Sequence, residues 1–257
     1  IDVSMLNNNL LMDRLEDMFL YVDRNVSLKY TSFLDASQVA QMEIYLKSIK
    51  KTYPQVEYLL WGGYQLAERK MLCVYSSYID VVFNDFPLSV VEFTYNTTFS
   101  KLTHRDFLGS LMALNFNRDL IGDIIVGNGK TQVVISSSIK DIVLNEVTQI
   151  GRLGVKTNLV DEVSLKLEQS FKDISGTVAS MRLDCVLGLA LNISRTKAVQ
   201  VVKSKIVSVN YLEETSSDTV LKLDDIITIK GYGKYTIAEI SEPTKKNRLH
   251  ILIKKYL

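Results

Sequence analysis

The middle of this chain takes its fold from residues 123–135, which read DIIVGNGKTQVVI. Two runs rich in β-branched residues flank Asn128-Gly129, and this dipeptide between two such runs predicts a β-hairpin with a type I′ turn. Outside the hairpin, apolar periodicity predicts one helix on each side and a further strand beyond each helix. These four elements are strands at 90–95 and 155–160 and helices at 105–115 and 139–149. The order is β-α-β-β-α-β, the split pattern of ferredoxin-like folds and of many RNA-binding sheets.

The chain is long enough for more than this one unit. Its 257 residues correspond to one to three compact units, at about 150 residues per domain. The first 66 residues are predicted to form a helical N-terminal unit, because apolar residues recur there at helical spacing and Asp35 suits the N-cap of a second helix. The full division is a helical unit at 1–66, a ferredoxin-like domain at 67–165, a linker or connecting strand at 166–180 and a last domain at 181–257.

Composition excludes several classes of protein. Apolar residues make up 47% and charged residues 23%, close to the average for soluble globular chains, so the chain is not globally disordered. Cys73 and Cys185 lack the spacing of a disulfide framework or a zinc site. The longest apolar runs fall short of the roughly 20 residues that cross a bilayer, and no signal peptide opens the chain. We therefore expect a cytoplasmic protein without a membrane span, metal or cofactor.

The net charge conceals two opposite halves. Thirty basic and 29 acidic residues leave a formal charge of +1, which as a whole-chain number argues against a strongly basic nucleic-acid binder. However, residues 181–257 hold thirteen basic and eight acidic residues, a net of +5, whereas residues 1–180 have a net of −4. The basic charge is therefore concentrated in the last domain.

Two short helices are predicted in that domain, at 183–191 and 195–203, with Arg182 before the first and Ser194 as N-cap of the second. A basic surface at such helix starts suits RNA phosphates, because free N–H groups there bind anions. The candidate RNA-binding residues of this surface are Arg182, Ser194, Arg195, Lys197, Lys203, Lys205 and Lys234. On charge alone, an ordinary solvated face is the alternative.

The same section resembles the S4 domain, an RNA-binding module named after a small-subunit ribosomal protein. The resemblance is carried by Arg182-Leu183-Asp184, Ser194-Arg195, Val207-Ser208-Val209-Asn210 and the turn Gly231-Tyr232-Gly233-Lys234-Tyr235. It implies an αL-type S4 fold that binds structured RNA through the basic residues above. Lys205, Tyr211 and Asp224 depart from the family pattern, since each stands where glycine is usual. The first departure is expected to place a lysine in the left-handed conformation.

Motifs earlier in the chain are similar to those of the bacterial YlmH family. They are Gly62-Gly63-Tyr64, Ala67-Glu68-Arg69, the run from Leu102 to Gly109, Asn117-Arg118 and the run from Ile121 to Val126. That family combines a helical N-terminal part, a ferredoxin-like RNA-binding domain and a C-terminal S4 domain. The resemblance implies a non-enzymatic RNA-binding protein of the bacterial cytoplasm, often encoded beside cell-division genes. It also implies the large ribosomal subunit and its tRNA as targets.

Enzyme interpretations of single motifs are weaker. His104-Arg105-Asp106 copies the start of the kinase catalytic loop, but Leu111 stands where the loop needs Asn. Thr103 and Asp106 have capping-box spacing and predict a helix start instead, while His104 and Arg105 are candidates for RNA contact. Gly129-Lys130-Thr131 ends like a Walker A phosphate loop, but Ile124 occupies the position of its first glycine.

Three classes of function stay open. The first is RNA binding at the ribosome. The second is a protein-interaction scaffold that contacts the division machinery through the N-terminal unit. The third is an RNA-modifying enzyme, since S4 modules are also attached to pseudouridine synthases. Phe93 and Tyr95 of the middle sheet are expected to be packed rather than open for base stacking.

Overall fold

A computed structural model describes residues 3–98, 101–166, 170–242 and 248–257, with side chains of the first helix described from residue 10 onward. The chain divides into two compact units, Ile1–Glu168 (unit 1) and Gln169–Leu257 (unit 2). Both contain helices and strands, so the predicted α+β class is confirmed. The division at residues 66, 165 and 181 stays a prediction, and residues 167–169 of the predicted linker lie outside the described part. Within the described ranges, no helix is long and apolar enough to span a bilayer.

The first part of unit 1 packs two helices on a small antiparallel sheet. Its elements are α1 (Val3–Asn25), β1 (Leu28–Tyr30), α2 (Ala36–Thr52), β2 (Val56–Trp61) and β3 (Met71–Ser76), with strand order β1-β3-β2. Asp35 caps α2 as predicted, since its Oδ1 accepts the N–H of Gln38 at 2.9 Å. The buried face of α2 is the predicted stripe of Val39, Met42, Leu46 and Ile49.

The prediction of a purely helical unit at residues 1–66 was therefore incomplete. Strand β2 was missed because residues 56–61 are mostly apolar and lack the alternation that marks a half-buried strand. Strand β3 lies beyond residue 66 and pairs with both β1 and β2. The sheet of this region therefore contains strands from both sides of the predicted boundary at residue 66.

The second part of unit 1 has the predicted β-α-β-β-α-β order. Its elements are β4 (Leu88–Thr94), α3 (His104–Met112), β5 (Ile121–Val126), β6 (Lys130–Ser136), α4 (Lys140–Glu146), β7 (Gln149–Ile150), β8 (Leu153–Gly154) and β9 (Lys156–Val160). The main sheet has strand order β5-β6-β4-β9 with antiparallel neighbours, and β7 and β8 form a separate pair.

Both faces of this main sheet are covered. On the helical side, Phe93 is fully buried and meets Phe107 edge to face, with ring centroids 5.5 Å apart. Tyr95 packs against the same phenylalanine at 5.8 Å. On the other side, a second cluster that includes Val134 and Cys73 joins the main sheet to the first sheet. Phe93 and Tyr95 are therefore packed, as expected, and offer no open stacking surface.

The β5-β6 hairpin is present, but its turn is not of the predicted type I′. That type needs a positive φ at both central residues. Gly129 has φ +73°, whereas Asn128 does not have a positive φ. The N–H of Gly127 donates to the carbonyl of Lys130 at 2.8 Å, so Asn128 and Gly129 are the two central residues of the turn. A positive φ at the second central residue alone is the requirement of a type II turn, which favours glycine at that position.

Unit 2 packs two short helices on one face of a six-stranded antiparallel sheet. Its elements are β10 (Phe171–Val178), α5 (Leu183–Ala190), α6 (Arg195–Lys203), β11 (Val207–Val209), β12 (Leu212–Glu213), β13 (Ile226–Ile229), β14 (Gly233–Ile240) and β15 (Leu249–Tyr256). The strand order is β10-β15-β14-β13-β11-β12. Strand β10 fills much of the predicted linker and pairs with β15 along its whole length, so the connecting-strand alternative describes it better.

The loop residues of unit 2 with left-handed backbone include Lys205 (φ +59°), Tyr211 (φ +67°) and Asp224 (φ +64°). The expectation for Lys205 is therefore confirmed. All three replace a glycine of the S4 pattern, so this fold keeps the backbone conformation without the residue that adopts it freely. The left-handed region costs a non-glycine residue about 1–2 kcal/mol.

Candidate nucleic-acid interface

The starts of α5 and α6 meet at a buried carboxylate. Asp184 lies in the first turn of α5, and its side chain is only 3% exposed. It accepts a hydrogen bond from Nε of Arg195 at 2.8 Å and one from Nε of Arg182 at 3.3 Å. The two arginine side chains are 59% and 38% exposed. One buried acid thus holds two solvent-facing cations.

The charges in this triad stabilise one another. Burial alone would raise the pKa of the Asp184 carboxyl, but the hydrogen bonds from Arg195 and Arg182 outweigh it and hold the pKa below its usual value. The bond to Asp184 in turn raises the pKa of Arg195. Asp184 is therefore an anion, and both guanidiniums are oriented by it.

The geometry leaves the outer ends of both guanidiniums available. Each arginine is bonded to Asp184 through Nε, and within the described part of the chain their terminal Nη groups bond no acceptor. A guanidinium fixed at one nitrogen presents its remaining donors in a planar fork that matches a phosphate. The predicted candidates Arg182 and Arg195 are therefore brought together in a form suited to phosphate binding.

The two helix starts are not equally open. The N–H groups of Leu183 and Asp184 donate to the carbonyls of Thr219 and Ser217, at 2.8 and 3.0 Å. The expectation that the start of α5 offers free N–H groups is therefore wrong for these two, because a neighbouring loop occupies them. At α6, Ser194 is the predicted N-cap and accepts the N–H of Lys197 at 3.3 Å.

The first turn of α6 is the open helix start. Ser194, Arg195, Thr196 and Lys197 are all exposed. In the described part of the chain, no hydrogen bond joins the N–H groups of Arg195 and Thr196 to a protein acceptor. Such N–H groups at a helix N-terminus, beside a cation, form an anion-binding arrangement. The predicted residues of this turn are thus placed together with the arginine pair.

The remaining predicted lysines lie elsewhere in unit 2. Lys203 is exposed in the last turn of α6, about 12 Å along the helix from Arg195 at 1.5 Å per residue. Lys205 follows in the left-handed position and is also exposed. Lys234 is on β14, where its ammonium donates to the Tyr211 hydroxyl at 3.0 Å and lies 4.9 Å from the Tyr256 ring centroid. The lysines therefore extend away from the arginine pair rather than cluster around it.

Sequence reasoning missed the role of Asp184. The residue was noted only as part of a motif, although a signal for its role was present. The helix LDCVLGLA is apolar except for this residue, and an acid on such a helix needs a partner when it is buried. The two arginines that flank the helix are the nearest partners in the sequence.

In unit 1, His104 and Arg105 begin helix α3 and are exposed. The predicted cap is confirmed in part, because the Asp106 carboxylate accepts both the N–H and the hydroxyl of Thr103 at 2.7 Å. His104 lines a cavity together with Arg69 and Arg118. Arg105 is not among the residues that line it. The two neighbouring candidates therefore have different surroundings.

The other motifs of unit 1 hold its two parts together. The Asp123 carboxylate on β5 accepts the Tyr64 hydroxyl at 2.8 Å and the N–H groups of Glu68 and Arg69 at 2.7 and 3.1 Å. A Cβ at Gly122 would lie 2.7 Å from the ring of Phe33, so this glycine is needed for close packing. These positions explain motif residues by structure, without any contact to a ligand.

Comparisons with known proteins agree with the motifs. Residues 82–164 match a family model described as "Putative RNA-binding domain in YlmH". The ribosome-associated protein quality control protein P2 of Bacillus subtilis (strain 168) is 28% identical over 235 residues, which cover 91% of this chain and 90% of that protein. The cell division protein ylmH from Streptococcus pneumoniae has a solved structure that aligns with a TM-score of 0.50 and 26% identity, covering 60% of this chain and 91% of the other. The segment matched by the family model contains His104 and Arg118.

Proposed function

We propose that this chain is a YlmH-type protein, a non-enzymatic RNA-binding protein that associates with the large ribosomal subunit and with tRNA. The contact is made through residues 181–257, acting as an S4 domain. The observation that carries the proposal is the pair of arginines oriented by buried Asp184 beside the open start of α6.

This surface suits double-stranded RNA. The deep major groove of an RNA helix hides its base edges, so proteins read such helices mainly through shape, 2′-hydroxyls and phosphates. Two fixed guanidiniums define positions for phosphates, and the exposed lysines at 197, 203 and 205 add attraction along the backbone. Lys234 joins the contact only by leaving the tyrosines that hold it.

The relatives support the ribosome as the place of action. The Bacillus relative, which the chain covers almost completely, is named for ribosome-associated quality control. The matched family model is described as RNA-binding and covers residues 82–164. We propose that these residues form a ferredoxin-like RNA-binding domain that adds a second contact, with His104 and Arg105 as its candidate residues. A cytoplasmic location is part of the same proposal.

The test is cosedimentation with large ribosomal subunits over a range of salt concentrations. Replacing both arginines with Glu would surround buried Asp184 with carboxylates, so the better variant is the neutral triple Arg182→Gln, Asp184→Asn, Arg195→Gln. We expect this variant to lose binding at moderate salt. The slope of log affinity against log salt should fall in magnitude by roughly one for each lost phosphate contact.

A matched control changes the same charges elsewhere. Lys47→Gln, Lys172→Gln and Asp173→Asn also neutralise two cations and one carboxylate, all at exposed positions. This control should sediment with subunits like the wild type. Equal binding and an equal salt slope for the Arg182 triple variant and the wild type would remove the arginine face from the proposal.

The two alternatives have distinct signatures in the same material. A complex with division proteins that survives ribonuclease treatment favours the scaffold. A modified nucleotide, found by mass spectrometry after incubation with RNA, favours an RNA-modifying enzyme. The proposal expects recovery of ribosomal RNA and tRNA, and loss of the complex on ribonuclease treatment.

A further inference from the structure

A cavity of about 410 Å³ opens in unit 1 between the start of α2 and the start of α3. Its volume lies within the range of roughly 300–1,000 Å³ that is usual for small-molecule sites. Two half-buried arginines, Arg69 and Arg118, contribute to its wall, and His104 lies beside them. It is therefore large enough for a phosphate group and its neighbouring atoms.

The two guanidiniums converge on a single carbonyl. Nε of Arg69 donates to the carbonyl of Ile121 at 2.9 Å, and Nη1 of Arg118 donates to the same oxygen. Arg118 Nη1 also lies 3.4 Å from the carbonyl of Gly122, and Arg69 Nη2 lies 3.3 Å from the carbonyl of Arg118. Main-chain carbonyls thus fix two like charges close together.

These cations have no direct counter-charge. Among the described residues, neither guanidinium has a carboxylate at ion-pair distance. Burial lowers the pKa of both arginines, and the charge of Arg69 helps to lower that of Arg118 to about 10. His104 is exposed, but partial desolvation beside the cavity and the charge of Arg118 lower its pKa against the attraction of Asp123. Asp35 and Asp123 attract both guanidiniums from beyond ion-pair distance and compensate their charges only in part. A half-buried cation pair of this kind in a cavity is a candidate anion site.

Of the residues that the structure describes, three acids line the cavity, of which Glu68 is exposed, whereas Asp123 and Asp35 accept hydrogen bonds from the protein. Asp123 accepts three hydrogen bonds, from the Tyr64 hydroxyl and from the N–H groups of Glu68 and Arg69. Asp35 accepts the N–H of Gln38 as the cap of α2. By contrast, Nη1 of Arg69 and Nη2 of Arg118 bond no acceptor in the described part of the chain. The side-chain nitrogens that remain available to an anion at this site therefore belong mainly to the two guanidiniums.

We propose that this cavity binds one phosphate group of RNA, with Arg69 and Arg118 as the charged ligands and His104 as a further donor. The inference rests on the proposed RNA-binding function and adds a contact in unit 1 that Arg105 does not share. The phosphate would supply the negative charge that relieves the repulsion between the two guanidiniums. His104, as the first residue of α3, also places the positive end of that helix toward the anion.

The chain itself provides the readout, because it contains only two histidines, His104 in unit 1 and His250 in unit 2. Their ring protons are followed by NMR across pH 5–8, in chloride buffer and with three separate probes. The probes are inorganic phosphate, adenosine monophosphate and a short single-stranded RNA. An anion between the arginines favours the imidazolium form, so the pKa of His104 should rise by about half a unit to one unit. Asp123 and Arg118 also face His104, so the titration in chloride buffer is the reference that already contains their effects.

Each outcome decides the proposal. A rise for His104 with the RNA, while His250 is unchanged, supports it. No rise with any probe overturns it, and so does an equal rise at both histidines, which would show a general salt effect. A rise with inorganic phosphate but none with RNA overturns the assignment to RNA.

A pair of variants locates the site. Arg118→Gln should abolish the response of His104, with the fold checked by the fluorescence of Trp61 in unit 1. Arg152→Gln changes an exposed arginine of unit 1 that does not line the cavity, and it should leave the response intact. Because the readout lies in unit 1, loss of ribosome binding through the arginine face of unit 2 would not change it. The two proposals can therefore fail separately.

Discussion

Replacing Asp184 with Asn tests whether the buried carboxylate organises the arginine face. The change keeps the size of the side chain and removes the charge that both Arg182 and Arg195 contact. A hydrogen bond to a charged group contributes about 1.5–3 kcal/mol. The arginines remain largely solvated, and Asn can still accept one bond, so we expect a loss of about 2 kcal/mol rather than the sum of two bonds. For a unit of this size, that corresponds to a fall in Tm of about 10 °C.

The assay is calorimetry of the full chain, with Trp61 fluorescence reporting separately on unit 1. The Tm of the calorimetric transition of unit 2 should fall, and the Tm of the fluorescence transition of unit 1 should not change. Asp173→Asn is the matched control, because Asp173 is exposed on β10, and it should change stability by less than about 0.5 kcal/mol.

The pH dependence gives a second check on the same variant. Because the folded-state pKa of Asp184 is lowered, the carboxylate stabilises the fold above its unfolded pKa of about 3.9. This advantage is lost as the pH falls through the folded value. The difference between wild type and Asp184→Asn should therefore be full near pH 7 and shrink below about pH 4. An equal Tm at pH 7, or a difference that is the same at pH 7 and pH 3, would refute an ionised, arginine-bound Asp184.

Two further substitutions test backbone and packing. Lys205→Gly should raise the stability of unit 2 by up to about 1 kcal/mol, because glycine adopts φ +59° freely. Lys205→Ala should not raise it. Chemical denaturation compares the two variants, and equal effects would count against backbone strain at this position. Gly122→Ala should destabilise unit 1 by about 2 kcal/mol, since the new methyl group would lie 2.7 Å from the Phe33 ring. The control is Gly109→Ala, because a Cβ added at that position meets open space. A similar stability for both glycine variants in Trp61-monitored unfolding would contradict the close contact.

Local patterns in the sequence predicted most elements, and long-range pairing explains the exceptions. The helix starts at Asp35, Thr103 and Ser194 were identified because capping depends on residues three positions apart. Strand β2 escaped because its apolar run fits a helix or a strand equally well, and only pairing with β3 decides between them. The turn at Asn128 illustrates the same limit on a smaller scale. The dipeptide predicted a hairpin correctly, but only Gly129 has a positive φ, and the dipeptide alone does not determine the backbone conformation of Asn128.

For the candidate sites too, the sequence predicted single residues but not the contacts between residues distant in the chain. Arg182 and Arg195 were named from the sequence because charge and motif are local properties. Their shared contact with Asp184 was not predicted, since Arg195 and Asp184 are eleven positions apart in the sequence. The cavity of unit 1 was harder still to predict from the sequence. Arg69 and Arg118 were quoted as parts of separate motifs, and only the fold brings both to the carbonyl of Ile121.

In the proposed RNA contact, arginines and lysines have different roles that follow from how each side chain is held. Arg182 and Arg195 are bonded through Nε to a buried anion, so little side-chain entropy remains to be lost when their Nη groups meet phosphates. Lys197, Lys203 and Lys205 are exposed and have no such anchor among the described residues, so they act mainly through charge. Fixed donors select the spacing of phosphates, and mobile cations raise affinity for any polyanion. Asp184 lowers the net charge of unit 2 by one while it fixes the orientation of two of its cations, so the proposed contact depends on more than the number of charges.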